Sequence, residues 1–298
     1  MKNQTQLQDW FYRYGRLLDK RHTEKQKEIF IQSIIQDASA LKLNAKIDEF
    51  KSTANDRENQ NIYIGEISKA DIIICTYYDT PSLHMGEYRF FSQSFNRERT
   101  LRMGVLLSLL ALIIVFLFTL FIVIPTLNVK GIYNIQSVFW ILLYIPYFTL
   151  LRKFTKGMSR GNNLIRNTSS ILTMLELIKN KKDKKKIAYA FLDGGTTNKA
   201  GILRLKEKTD KNILFLDSIG SEHNLYLVSS DTNNLVEYPE TKYIKKIKSN
   251  LLKDNQITYL ISAQKDQYFY LNQRDLKANT LNAQNMGLVA MYLEKLSS

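Results

Sequence analysis

Apolar and polar positions are very unevenly distributed along the 298 residues. Residues 103–126 read MGVLLSLLALIIVFLFTLFIVIPT, with no charged side chain and almost no polar one. A helix of ~20 apolar residues, rising ~1.5 Å per residue, spans the ~30 Å hydrocarbon core of a bilayer. The stretch begins about a third of the way along the chain, so it does not read as a cleaved signal peptide. The competing reading, a core helix of a soluble domain, fits poorly because such helices rarely run this long without a polar face. Residues 137–151, SVFWILLYIPYFTLL, form a shorter apolar stretch that carries Pro146. Extended back to Ile132 it is also long enough to cross, and the rings of Trp140, Tyr144 and Tyr147 suit a membrane interface or a partner-facing helix. The pattern predicts a transmembrane hairpin with helices at about 103–126 and 132–151. The alternative is a single crossing plus a re-entrant piece, which would put the two halves of the chain on opposite sides.

Elsewhere the periodicity alternates between helix and strand. Residues 4–20 and 23–41 carry apolar side chains at helical spacing, and Thr23 is placed to cap the second segment. Residues 61–65 and the continuous apolar run 70–78 read as strands, the latter buried on both faces. Beyond the hairpin, residues 166–179 read as a helix. Residues 186–192, 212–216, 224–229 and 257–262 read as strands, and 282–296 as a closing helix. Alternating strands and helices predict an α/β fold with a largely parallel sheet flanked by helices and interrupted by the two-helix hairpin. Residues 1–98 and 156–298 are then two parts of one domain, with residues 99–155 inserted between them.

Charge supplies the orientation. Arg97, Arg99 and Arg102 precede the first crossing, and Arg152, Lys153, Lys156 and Arg160 follow the second, whereas the loop between them has only Lys130. Basic residues beside transmembrane ends stay cytoplasmic, so both termini and the folded domain are expected on the cytoplasmic side of a cell membrane. The formal charge of +14 points to the anionic lipid of the inner leaflet as a partner. No nucleic-acid motif accompanies it. Residues 180–186 are either a solvated basic turn or a lipid-headgroup contact. Cys75 is alone, which excludes a disulfide framework and a cysteine zinc motif and fits a reducing compartment. The abundance of Lys, Asn and Ile resembles a low-GC bacterium. No P-loop, G-x-G-x-x-G or G-x-S-x-G motif is present.

Three predicted strands end in an acid followed by small residues: Tyr78-Asp79-Thr80, Leu192-Asp193-Gly194 and Leu216-Asp217-Ser218. Ligands of open α/β sheets bind beyond the carboxyl ends of strands. Three carboxylates there read either as a metal site or as ordinary turn-forming residues.

The segments NIYIGEISKADIIICTYYDT, RNTSSILTMLELIK, KIAYAFLDGG and NILFLDSIG resemble, in that order, stretches of the zinc aminopeptidases with two co-catalytic metals, a family that includes the glutaminyl cyclases. The resemblance spans roughly residues 62–229 and implies that family's fold. It also implies a metal site from which this sequence departs. The family's first ligand His falls on Tyr77, its bridging Asp on Arg166, and its Glu-Glu pair, general base and ligand, on Gly195 and Thr196. Asp79 and Asp217 are kept, and no His follows His223. Without the imidazoles, the bridge and the base, no group is left to activate water at zinc. Arg166 is expected to pair with Asp79 or Asp217. A recruited set of His84, Asp79, Asp193 and His223 is the alternative to two surface histidines.

The apolar hairpin and the resemblance together lead to the expectation of a membrane-anchored, catalytically inactive peptidase-like protein without a cofactor. Its expected role is as an accessory or binding subunit beside another integral membrane protein or a second copy of itself, in a complex that handles peptides. Two alternatives stand: a membrane-bound metallopeptidase with an altered zinc site, and a tethered scaffold whose cleft is filled by its own side chains.

Overall fold

The apolar runs at residues 70–78, 186–192 and 212–216 become three adjacent parallel strands at the centre of a mixed sheet. The computed structural model describes residues 2–51, 58–82, 86–156, 161–180, 187–231, 242–252 and 254–297. Its strands are β1 (Ala45–Lys51), β2 (Glu58–Ile64), β3 (Ile72–Tyr77), β4 (Tyr88–Arg89), β5 (Ile187–Leu192), β6 (Asn212–Asp217), β7 (Leu225–Ser229), β8 (Ile244–Lys248), β9 (Ile257–Ser262), β10 (Gln264–Lys265) and β11 (Phe269–Leu271). Eight of them form one sheet in the order β1-β2-β5-β3-β6-β9-β7-β8, and β10-β11-β4 form a second. In the large sheet β5, β3, β6 and β9 run parallel, as do β7 and β8, while the remaining neighbours are antiparallel. The expected mixed, mostly parallel α/β architecture is what the chain forms.

Period-two alternation sorts the strand side chains. Ile74 of β3, Tyr189 and Phe191 of β5 and Leu214 of β6 face the larger core, whereas Ile73, Cys75, Ala188, Ala190 and Phe215 face the smaller one on the opposite side. Helices α1 (Lys2–Tyr12) and α2 (Glu24–Ala40) cover the first face, together with Ser169–Asn180 and Ala283–Ser297; Ala200–Lys208 covers the second. Thr23 caps α2 in a reciprocal capping box with Gln26. The helix expected from Arg166 instead opens with a π-turn over Leu164–Thr168.

The fully buried Arg21 ties the segment after α1 to the end of β3. It donates from Nε to the Tyr78 carbonyl at 2.7 Å and from Nη2 to Thr168 Oγ1 at 3.2 Å. Burial lowers its pKa to about 10, so it remains charged at neutral pH.

The chain divides into two units, Met1–Pro81 with Glu87–Ser92 and Arg160–Ser298, and Ser82–Gly86 with Gln93–Ser159. The second unit contains two helices long and apolar enough to cross a membrane, Gln93–Lys130 and Ile135–Arg152. The first runs longer than its apolar stretch because residues 93–102 continue it. It widens into a π-turn at Thr119–Val123, just before Pro125, where a missing N–H leaves a carbonyl without its helical partner. Within this unit the Thr119 and Tyr144 hydroxyls bond to each other, and Trp140 packs edge-on against Phe118. Of the basic residues flanking the apolar stretches, Arg102 pairs with Glu98, Arg99 lies 4.9 Å from the Phe95 ring, and Arg97 and Arg152 are exposed. Arg160, the basic run 181–186 and His84 lie outside the described residues, as do the side chains of Lys153 and Lys156.

Candidate functional site

Because β5, β3 and β6 are parallel neighbours, the three predicted acids arrive together at the carboxyl ends of the central strands. Each is engaged by a different set of partners. The buried Asp193 forms an ion pair with the half-buried Lys27 of α2 at 2.7 Å and accepts from the Gly194 N–H at 2.7 Å. Burial raises its carboxyl above the usual range, the nearby Asp79 adds to this, and Lys27 opposes it. Asp79 accepts from the N–H of Gly195 at 2.8 Å, the N–H of Thr196 at 3.0 Å and the Thr196 hydroxyl at 2.5 Å. Asp217 accepts from the Tyr88 hydroxyl at 3.0 Å and from Ser218 Oγ at 2.7 Å. Desolvation pushes the Asp217 carboxyl up to about 6, against the opposing pull of Arg166, Ser218 and Tyr88.

Tyr77 and Gly195 fit together as a pair. A Cβ built on Gly195 would stand 1.9 Å from Cγ of Tyr77 and 2.1 and 2.2 Å from its two Cδ atoms. The Tyr77 ring, packed on Phe215 at 4.7 Å between centroids, therefore occupies the space any side chain at position 195 would need. Burial drives the Tyr77 hydroxyl pKa well up, with Tyr259 and Asp79 adding to it.

Arg166 does not form the expected ion pair. Its guanidinium carbon lies 3.8 Å from the centroid of the Tyr88 ring, and it acts on Asp217 only through its field. A guanidinium stacked on an aromatic face keeps part of its attraction to the carboxylate that the ring's own hydroxyl holds. The neighbouring Asn167 donates from Nδ2 to the Asp79 carbonyl at 3.0 Å.

Tyr77, Arg166, Gly195, Thr196 and Asp217 line one cavity together with Thr76, Tyr88, Asn167 and Phe215, and its volume is ≈ 20 Å³. That is room for about one water molecule. Tyr88, Asn167 and Lys27 were not foreseen from the sequence. Tyr88 sits in a two-residue strand without a periodic signal, and nothing local in the sequence directs Lys27 to Asp193.

The donor set does not suit zinc. Two such ions require several imidazoles and carboxylates converging on one point. Here both oxygens of Asp79 and of Asp217 accept hydrogen bonds, a guanidinium lines the same cavity as Asp217, and no group of three or more His, Cys, Asp or Glu converges among the described residues. His223 is held elsewhere, with Nε2 2.9 Å from Asp275 and 3.2 Å from Gln264.

No protein-family model matches the chain, and no curated protein does. Solved structures do match. Porphyromonas gingivalis glutaminyl cyclase aligns with a TM-score of 0.57 at 10% identity, covering 96% of each chain. The fold is that of the glutaminyl cyclases. Tannerella forsythia glutaminyl cyclase aligns at a TM-score of 0.55 and 9% identity over 97% of this chain and 96% of its own. Legionella pneumophila LapA aminopeptidase aligns at 0.50 and 8% identity over 98% of this chain and 69% of its own, so the same overall architecture extends to an aminopeptidase. Identities this low establish the fold and leave the activity to the site.

Proposed function

We propose that this chain is a membrane-anchored, catalytically inactive protein with a peptidase-like fold, which acts by binding rather than by chemistry. The observation that carries the reading is the interlock of Tyr77 with Gly195. It fills the place where the resemblance puts a catalytic Glu, and the surrounding cavity of ≈ 20 Å³ is too small for a peptide end. Asp79 and Asp217 are retained as acceptors for neighbouring N–H and O–H groups, with Arg166 supplying a fixed charge where a bridging carboxylate would stand.

The anchor is the pair of helices at Gln93–Lys130 and Ile135–Arg152. Their apolar side chains are exposed within the chain, with Phe116 at 65% and Phe121 at 69%, which supports contact with lipid rather than a core position. Arg97, Arg99, Arg102 and Arg152 are in place to meet anionic headgroups, which supports cytoplasmic termini. With the cleft closed, a partner binds the outer surface or the hairpin, and an integral membrane protein or a second copy of the chain suits both. A metallopeptidase with an altered zinc site is disfavoured by the pairing of His223 with Asp275 and by the lack of a converging group of three or more His, Cys, Asp or Glu among the described residues.

Metal content and copurifying membrane proteins, measured on one chelator-free detergent preparation, test the proposal. Less than stoichiometric zinc together with a membrane partner is the expected outcome. One or two zinc ions per chain with peptide cleavage would overturn it.

A further inference from the structure

Asn167 is 4% exposed, and its side-chain oxygen Oδ1 is buried with no hydrogen-bond partner, while its Nδ2 donates to the Asp79 carbonyl. Buried acceptors are almost always paired, and an unpaired one in a native protein calls for a specific explanation, of which a bound water or ion is one. The same residue lines the ≈ 20 Å³ cavity with Arg166 and Asp217, so a small donor has somewhere to sit. That volume matches about one water, and a water is held in a cavity when two to four polar groups surround it. We infer that this cavity binds a single structural water, which donates to Asn167 Oδ1 and bridges to Arg166 or Asp217.

The chemistry narrows the occupant. A cation would face the Arg166 guanidinium, and an anion would face the Asn167 and Asp217 oxygens. A water can donate to one oxygen and accept from the guanidinium at once. It then joins the π-turn over Leu164–Thr168 to the end of β6, where the resemblance would put a metal. This inference rests on the non-catalytic reading of the site, but the two fail differently.

The test is a crystal structure of the full chain in detergent, with diffraction also recorded at the zinc absorption edge. Solvent density within hydrogen-bonding distance of Asn167 Oδ1 and of Arg166 or Asp217, without anomalous signal, supports the inference. A dry cavity, or an Asn167 amide whose Oδ1 finds a protein donor, overturns it and leaves the proposed function standing. An anomalous peak there overturns both. As a second readout, deuterium and oxygen-17 relaxation of solvent should show one fewer long-lived water in Asn167→Leu than in the unaltered chain, and an equal number would count against the site.

Discussion

Replacing Gly195 with alanine tests whether the Tyr77 ring truly fills that position. The new Cβ would lie 1.9–2.2 Å from three ring carbons, where ordinary contact begins near 3.4 Å. The ring must therefore retreat by roughly 1.5 Å. It cannot do so freely, because Phe215 packs on it and the next residue is tied by the Tyr78 N–H to the Leu192 carbonyl at 3.0 Å. Overpacking of this kind costs about 1–3 kcal/mol, and loss of the Phe215 ring contact adds about 0.5–1.5 kcal/mol. The expected total of ~2–4 kcal/mol corresponds to a fall in Tm of roughly 5–15 °C for a folded unit of this size. The decisive comparison is a double-mutant cycle measured by thermal unfolding in detergent at one scan rate. Tyr77→Ala leaves a hole and destabilises on its own account, but in that background Gly195→Ala should cost less than ~1 kcal/mol. If Gly195→Ala melts with the unaltered chain, or costs as much without the ring as with it, the interlock is wrong and so is the closed cleft.

Three further outcomes follow from the same residues. The folded chain holds the Asp217 proton up to about pH 6, whereas an unfolded aspartate releases it near ~3.9. The stabilisation is complete below the lower value and fades as pH rises through the upper one, by roughly 3 kcal/mol in all; Asp217→Asn should flatten that part of the stability–pH curve. Arg166→Ala removes a charge that favours the Asp217 carboxylate, so the carboxyl's titration midpoint, followed by its infrared band, should move upward; Arg166→Lys should bring it back towards the original without restoring the stacking on Tyr88. Asp79→Asn leaves one oxygen to serve the donors of Gly195 and Thr196, which should cost ~2–3 kcal/mol and speed hydrogen exchange at those two amides.

The strands that were legible in the sequence all lie inside the large sheet. β3, β5, β6 and β9 are buried on both faces and announce themselves as apolar runs. The strands that were missed include both sheet edges. AKIDEFK and IKKIK carry charges where one face meets solvent, and charge is how an edge resists further pairing. The helix Ala200–Lys208 was missed as well; its short apolar stripe follows a turn that the periodicity does not mark.

The sequence alone determined the apolar lengths of the two long helices, the order of helices and strands, and the acids at three strand ends, because each depends on residues close together in the chain. Its resemblance also marked Tyr77, Arg166, Gly195 and Thr196 as the positions to follow into the structure. Only the tertiary structure decided what those positions do. Tyr77 fills the space beside Gly195, Arg166 turns to a ring rather than a carboxylate, and Tyr88 reaches Asp217 from 129 residues away. Such contacts depend on which strands become neighbours and how much volume is left between their side chains, and packing at that density is a property of the assembled sheet rather than of any local stretch.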